Sequence, residues 1–264
     1  MSVPELFDTH CHIDDPRFDA DREEMHARML ANGVTRYAVI GTELPSSRHA
    51  ADYARAHEGA VAAVGFYPGD ADAFRGGEDL AALAEMAGEP QVRALGEIGL
   101  DYHWPDNPSH ETQQRVLSEQ LELAYELGLP CCFHVRDAHP DMIAVLKQHR
   151  ERLTGGIMHC FSGSWETAQE YLRLGYHISF AGPVTFRSAR KLHETAAKCP
   201  ADRILIETDS PYMAPEPVRG TRNEPTLVRH VAAKIAELRG ISYEEAAALT
   251  TRNACRVYGL PLPE

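Results

Sequence analysis

The stretch Asp8-Thr9-His10-Cys11-His12 follows a short apolar run, residues 3–7, near the start of the 264-residue chain. Such a run is typical of a buried β-strand, and successive side chains of a strand point to opposite faces. His10 and His12 should therefore point the same way, with Asp8 one layer below them. Neutral imidazoles bind divalent transition metals, and Asp8 could accept the second ring N–H of a ligating histidine. The stretch predicts part of a metal site or, alternatively, two histidines at a strand end without a ligand.

From this strand onward, short apolar runs alternate with amphipathic stretches. The predicted strands are residues 3–7, 34–40, 60–66, 92–98, 129–135, 156–159, 176–180 and 203–207. The predicted helices are residues 16–31, 46–57, 79–87, 109–127, 140–153, 165–174, 188–198, 227–239, 243–249 and 251–258. Strands separated by helices form parallel sheets with right-handed crossovers. We therefore predict an α/β protein, a single (β/α)8 TIM-type barrel with C-terminal helices that forms one hydrolase domain over residues 1–264, rather than an open doubly wound sheet.

Composition argues against several classes of function. Lys and Arg total 26 against 39 Asp and Glu, a formal net charge of −13, which disfavours a broad surface for duplex DNA or anionic lipid. No stretch approaches the roughly 18 apolar residues of a membrane span, and the N-terminus lacks the pattern of a secretory signal. The cysteines include no Cys-x-x-Cys pair and are expected to be reduced. We expect a cytoplasmic protein that does not contact a membrane, as a monomer or small homo-oligomer.

Metal-type side chains recur where other predicted strands end. The fourth strand ends at Glu97, the fifth at His134, the sixth at His159 and the eighth at Asp209. The C-terminal ends of barrel strands converge on one mouth, where active sites lie. Separate structural roles for all of these residues would be an improbable coincidence, so we predict a metal site at that mouth. By alternation along its strand, Cys160 should point away from the site.

Six ordered strings cover most of the chain. They are DTHCHID (8–14), GEIGLDY (96–102), HVRDA (134–138), HCFSG (159–163), ETDSPY (207–212) and RGTRNEP (219–225). These strings resemble the motifs of the TatD-like metal-dependent DNases, a family of the amidohydrolase superfamily. The resemblance implies two divalent metal ions, Mg, Mn or Zn, that share Glu97 as a bridge. It implies that one ion is held by His10, His12 and Asp209 and the other by His134 and His159.

The activity that the resemblance implies is hydrolysis of phosphodiester bonds near the end of single-stranded DNA, of the 3'-5' exonuclease type. The partner would be a nucleic acid substrate. Two divalent ions can supply a metal-activated hydroxide and stabilise the attacking and leaving oxygens. Asp209 and Glu97 would be the catalytic residues, with Asp209 accepting the proton of the water because a ligating carboxylate keeps a spare oxygen. Glu207, on the same face of the strand as Asp209, would orient a ligand.

Cationic and aromatic residues near the mouth are candidates for binding the substrate. Arg136 follows His134 by two residues, and a guanidinium matches phosphate oxygens in pairs. Arg219 and Arg222 lie in the loop after the last strand, where they could bind phosphate or simply face solvent. Tyr102 and Trp104 could stack on an unpaired base or roof the barrel.

One position departs from the family, and other activities stay open. The family usually shows a histidine before the proline that follows the third strand, whereas this chain has Tyr67, a neutral O–H donor at pH 7. A metal-dependent esterase such as an aminoacyl-tRNA deacylase, or a small-molecule phosphatase, could use the same ligands. A metal-holding barrel that only binds a partner is the non-enzymatic alternative.

Overall fold

The computed structural model of the chain describes residues 3–263 and contains one parallel sheet of eight strands in sequential order. The strands are β1 Leu6–Cys11, β2 Val34–Ile40, β3 Ala60–Val64, β4 Val92–Asp101, β5 Cys131–Arg136, β6 Gly156–Met158, β7 His177–Phe180 and β8 Ile204–Ile206. Backbone hydrogen bonds join the ends of β1 and β8, since the N–H of His12 donates to Ser210 and that of Asp209 donates to His10. The sheet therefore forms a nearly closed barrel, and the predicted (β/α)8 class is confirmed.

Helices connect the strands and cover the outside of the barrel. Their bounds are α1 Arg22–Ala31, α2 Leu44–Ala56, α3 Gly77–Ala87, α4 His110–Leu127, α5 His139–Gln148, α6 Trp165–Arg173, α7 Arg190–Lys198, α8 Val228–Arg239 and α9 Tyr243–Val257. The first seven lie between successive strands, and α8 and α9 follow β8 as the predicted C-terminal helices. Within residues 3–263, no helix combines the length and apolar character needed to cross a membrane.

Helix α9 covers the N-terminal end of the barrel. The ring of Tyr258, just after α9, stacks on Phe7 of β1 with centroids 5.5 Å apart, and its hydroxyl donates to the carbonyl of Thr9. The Asn253 side chain donates to the carbonyl of Ile204 at the start of β8. Because this end is packed with side chains, the C-terminal end is left for the loops that carry the site.

Three helix predictions were wrong, and in one of them the segment 140–153 is the helix α5 followed by a 3-10 turn, Arg150–Arg152. The segment 16–31 is a short 3-10 turn, Pro16–Phe18, followed by α1, because the Arg22 guanidinium donates to the carbonyl of Ile13 and fixes the turn. The segments 243–249 and 251–258 form the single helix α9. The hydroxyl of Thr250 donates to the carbonyl of Ala246 within it, so the β-branched residues there are accommodated rather than ending the helix.

Candidate metal centre

The carboxylate of Glu97, on β4, lies buried at the centre of the C-terminal end of the barrel. Its Oε2 atom is 3.3 Å from Nε2 of His10 and 3.6 Å from Nε2 of His12. Its Oε1 atom is 2.9 Å from Nδ1 of His134 and 3.1 Å from Nε2 of His159. Each oxygen of one carboxylate therefore faces a different pair of histidines.

Asp209 completes one side of this arrangement. Its Oδ1 atom lies 3.5 Å from Nε2 of His12 and 3.8 Å from Nε2 of His10. The two imidazole nitrogens are themselves 3.2 Å apart. Two groups of three residues therefore place their donor atoms close enough to bind one metal ion. They are His10, His12 and Asp209, and His10, Glu97 and His159.

Hydrogen bonds determine which ring nitrogen of the first pair faces this cluster. Nδ1 of His12 lies 3.0 Å from the carbonyl of Ile40, and a carbonyl can only accept, so this nitrogen carries the proton. In its neutral form the ring therefore presents the lone pair of Nε2 to Glu97 and Asp209. Nδ1 of His10 faces the Sγ atom of the buried Cys132 at 3.3 Å, which again leaves Nε2 for the cluster.

The second pair is oriented by carboxylates. Nδ1 of His159 lies 3.1 Å from Glu207, and Nε2 of His134 lies 3.0 Å from Asp101. Each carboxylate accepts a ring N–H, so in the neutral form the opposite nitrogen of each ring turns its lone pair toward Glu97. This is the usual arrangement around a metal-ligating histidine, in which the second ring nitrogen donates to a carboxylate or carbonyl.

The donor atoms fit divalent metal ions. Lone pairs and carboxylate oxygens that face one another at about 3 Å repel unless a proton or a metal ion lies between them. Nitrogen and oxygen ligands about 2.0–2.2 Å from one ion are separated by about 3.0–3.5 Å in tetrahedral or octahedral geometry. The separations in the cluster lie close to this range, and imidazole with carboxylate suits Zn, Mn, Fe or Ni.

The charges of the cluster follow from burial and close pairing. Burial would raise the pKa of Glu97 and of Asp209, but the surrounding histidines lower both values, so both carboxylates are ionised. Burial lowers the pKa of His10, and the nearby His159 adds to that effect. For His12, burial also lowers the pKa, but the bond to Asp209 and the charge of Glu97 outweigh it and raise the value to about 9.

Asp8 supports the site in a different way from the one expected. Its carboxylate accepts the backbone N–H of Thr208 at 2.8 Å and the Thr208 hydroxyl at 2.5 Å, and it does not contact the imidazole of His10. Burial raises the pKa of Asp8 to about 8, although the bonds from Thr208 act in the opposite direction. Asp8 therefore anchors the residue before Asp209 rather than orienting a ring.

Backbone conformation distinguishes the cavity wall. Asp137, Cys160, Asp209 and Met213 are the non-glycine residues of the described chain with positive φ, between 40° and 57°, and all four line the cavity. Such conformations are costly for residues with a Cβ and cluster at functional sites. At Cys160 the N–H donates to Glu207 at 2.6 Å. The left-handed backbone at Cys160 interrupts the strand alternation from which its side chain was predicted to point away from the site.

The cluster opens into a cavity of about 880 Å³ at the C-terminal end of the barrel. Carboxylates outnumber the other charged side chains of its wall: Asp14, Asp15, Asp70, Glu97, Asp137 and Asp209. Among the described lining residues, Arg136 supplies the guanidinium, and its Cζ atom lies 5.1 Å from the ring centre of Trp104. Trp104 is 54% exposed, and Tyr212, 46% exposed, also lines the cavity. The cavity thus combines several carboxylates with one guanidinium group and accessible aromatic rings.

Tyr67 also lines the cavity, and it is hydrogen-bonded to Asp101, a residue that was not predicted from the sequence to belong to the site. Its hydroxyl donates to Oδ2 of Asp101 at 2.7 Å and lies 3.4 Å from Nε2 of His134. Burial raises the pKa of Asp101, but the bonds from His134 and Tyr67 outweigh this and lower the value to about 2. Asp101 belongs to the string GEIGLDY, and its position at the end of β4 is the sequence signal that could have identified it as a site residue.

Three of the predicted substrate contacts lie elsewhere. Arg222 donates to both oxygens of Asp21 at 2.6 and 2.7 Å, and Arg219 is exposed with its guanidinium 4.1 Å from the ring centre of Phe186. Tyr102 stacks on His110 with centroids 3.4 Å apart. None of Arg219, Arg222 and Tyr102 lines the cavity within residues 3–263. Their expected roles in binding substrate are therefore not supported by their placement.

Comparisons with known proteins agree with this geometry. Residues 7–259 match the family model described as TatD related DNase. The chain is 43% identical over 253 residues to the uncharacterized metal-dependent hydrolase YabD of Bacillus subtilis, covering 96% of this chain and 98% of that protein. It is 37% identical over 258 residues to the 3'-5' ssDNA/RNA exonuclease TatD of Cronobacter sakazakii, covering 96% and 97%. The crystal structure of the TatD homolog YjjV of Escherichia coli superposes with a TM-score of 0.91 at 33% identity, covering 98% of this chain and all of that one. The chain therefore belongs to the TatD-related DNase family and is a metal-dependent hydrolase.

Proposed function

We propose that the chain is a two-metal exonuclease that hydrolyses phosphodiester bonds at the ends of single-stranded DNA in the 3'-5' direction. The observation that carries this proposal is the division of donors around Glu97. One of its oxygens faces His10 and His12, and the other faces His134 and His159. A carboxylate with donors on both sides is the arrangement that bridges a pair of ions, and paired ions suit phosphodiester hydrolysis.

The protein's own groups divide the work at this site. The ions, when bound, supply water activation and charge neutralisation of the phosphodiester. Asp209 is ionised and has its second carboxylate oxygen available, so it accepts the proton of the attacking water. Glu207 and Asp101 keep His159 and His134 in the tautomers that direct lone pairs toward Glu97.

The charge of the cavity supports substrate binding that depends on metal. Six carboxylates line it, so a phosphodiester anion is repelled unless cations first neutralise the cluster. Arg136 then offers the guanidinium that faces phosphate oxygens, and Trp104 offers an exposed ring for an unpaired base. Single strands expose base faces that duplexes hide, and the net charge of −13 disfavours a long duplex footprint. The activity for which the Cronobacter relative is named, 3'-5' ssDNA/RNA exonuclease, also supports this proposal.

A digestion assay on metal-loaded protein tests the proposal. A single-stranded DNA oligonucleotide labelled at its 5' end should yield a ladder that shortens from the 3' end. Glu97→Ala and Asp209→Asn should each reduce the rate by orders of magnitude, with loss of bound metal in the first. Glu126→Ala, at an exposed glutamate of α4, is the matched control and should retain the rate.

Other outcomes would identify a different substrate. The same panel should include RNA, an aminoacyl-tRNA and a chromogenic phosphomonoester. Turnover of one of the last two at a rate far above that on DNA would replace the exonuclease proposal with the esterase or phosphatase alternative. Stoichiometric metal without turnover of any substrate would support a binding module.

A further inference from the structure

A second cavity, of about 460 Å³, lies at the opposite, N-terminal end of the barrel. It is formed where β4, β6, β7 and β8 begin and where α9 ends. Its lining residues include Arg93, His177, Arg203, Arg256, Gly155 and Gly156. The cavity is distinct from the metal centre, since the apolar interior of the barrel separates the two ends.

The charge of this cavity is opposite to that of the protein. Arg93, Arg203 and Arg256 line it, and no Asp or Glu does so among the residues that the structure describes. The chain as a whole carries a net charge of −13. Guanidinium groups that share one cavity repel one another, and a cleft of one sign concentrates counter-ions of the other. A structural role that brings these cations together without carboxylates would therefore be unfavourable.

These three arginines make few hydrogen bonds and ion pairs within the described residues, and those they make are long. Nε of Arg93 is shielded from solvent and has no hydrogen-bond acceptor within residues 3–263. Arg203 lies 3.3 Å from a backbone carbonyl and 3.8 Å from the carboxylate of Asp202, which is 66% exposed. Within the described part of the chain, Arg256 donates only to the side-chain oxygen of Asn253, at 3.4 Å.

An arginine at the same end of the barrel shows the contrast. Nε of Arg36, near the start of β2, lies 2.9 Å from the carboxylate of Glu5, and its Nη1 atom donates to the carbonyl of Pro261. Arg36 therefore has both a charge partner and a backbone acceptor. A buried N–H donor without an acceptor, such as that of Arg93, is costly to a folded protein, and a ligand with acceptor oxygens would relieve this cost.

We propose that this cavity binds the phosphate group of a small molecule. A guanidinium donates to phosphate oxygens in pairs, and three arginines lining one cavity offer more donors than a single carboxylate could accept. The volume lies within the range of about 300–1,000 Å³ that small-molecule sites occupy. The ligand is free phosphate or a mononucleotide, which share this chemistry. The site is independent of the reaction at the metal centre.

Calorimetric titration of the full chain tests this inference. Inorganic phosphate, deoxyadenosine 5'-monophosphate and deoxyadenosine are titrated into metal-loaded wild type and into Glu97→Ala, in which phosphate binding at the metal centre is weakened. We expect one phosphate-bearing molecule to bind per chain in Glu97→Ala, and deoxyadenosine not to bind. Arg93→Gln and Arg256→Gln in that background should each raise the Kd by roughly 10- to 100-fold, the effect of losing a charge-assisted hydrogen bond.

Arg252→Gln is the matched control because Arg252 is exposed on the same helix, one turn from Arg256, and does not line the cavity. If Arg93→Gln proves unstable, Arg256→Gln still tests the cavity, because Arg256 is exposed and its substitution should leave the fold intact. Tighter binding of the nucleotide than of phosphate identifies a mononucleotide as the ligand, and equal binding identifies free phosphate. The inference is overturned if neither phosphate compound binds Glu97→Ala, or if Arg93→Gln and Arg256→Gln bind as tightly as Arg252→Gln.

Discussion

Oδ2 of Asp101 accepts the Tyr67 hydroxyl at 2.7 Å and lies 3.0 Å from Nε2 of His134. One carboxylate oxygen therefore connects the residue that departs from the family pattern to a histidine that faces the metal centre. The N–H of His103 donates to the other oxygen at 2.9 Å. This saturation of hydrogen bonds explains how the carboxylate stays ionised in a largely enclosed position.

Asp101→Asn should weaken metal binding. The amide carries no charge to stabilise the tautomer of His134 and can turn a donor toward the ring, so we expect metal affinity to fall by about 10- to 100-fold. Equilibrium titration followed by measurement of bound metal gives the affinity. Asp106→Asn, in the exposed loop that follows, is the control. Unchanged affinity in Asp101→Asn would remove Asp101 from the metal centre.

Tyr67→Phe should have a smaller effect on the metal than Asp101→Asn. The substitution removes one donor to Asp101 but leaves the bond from His134, so metal content should be retained. The free energy of unfolding should fall by about 0.5–1.5 kcal/mol, the usual contribution of one hydrogen bond. Chemical denaturation measures this change. A loss of turnover that greatly exceeds the loss of stability and of metal would show that the hydroxyl contacts substrate.

Much of the site could be predicted because parallel barrel strands end at one mouth. Glu97, His134, His159 and Asp209 stand at those ends, so local sequence was enough to place them together. Asp101 was missed because β4 continues beyond the predicted end at residue 98, through its pairing with β5 as far as Arg136. That pairing depends on the register between two strands, which is not visible in either strand alone.

The placement of the loop cations could not be predicted for a similar reason. Arg222 is bound by Asp21, a residue 201 positions away in the sequence. The orientation of Cys160 depends on a left-handed φ of 40°, which composition does not indicate for cysteine. Asp8 pairs with Thr208 across the junction of β1 and β8, so its role became visible only when the barrel closed.

Asp8→Ala should destabilise the protein and displace Asp209. The substitution leaves the N–H of Thr208 buried without its acceptor, at a cost of about 1–3 kcal/mol in the free energy of unfolding. Activity measured well below the new melting temperature should also fall, since Thr208 precedes the proton acceptor. Asp72→Ala, at an exposed aspartate, provides the comparison. Equal stability of the two variants would contradict an anchoring role.

Arg222→Ala should affect stability and spare substrate binding. Its pair with Asp21 is partly exposed, so we expect a loss of about 0.5–1 kcal/mol in the free energy of unfolding. Arg222 and Arg28 lower the pKa of Asp21. The pair's contribution is therefore complete above the ordinary carboxyl pKa near 4 and is lost as the pH falls through the lower folded-state value. The stability difference from wild type, measured by denaturation at several pH values, should shrink in acid.

Arg136→Ala should show the opposite pattern and weaken substrate binding without a comparable loss of stability. Arg136 is exposed in the cavity beside Trp104, with no carboxylate partner among the described residues. If it contacts a phosphate, its loss should reduce the dependence of log Kd on log salt by about 0.7 for a single strand. Binding of a single-stranded oligonucleotide to metal-loaded protein over a range of salt concentrations measures this slope, with Arg222→Ala as the control. A Kd that rises while the salt slope stays at the wild-type value would assign Arg136 to positioning Trp104 under the base, because a stacking contact releases no counter-ions.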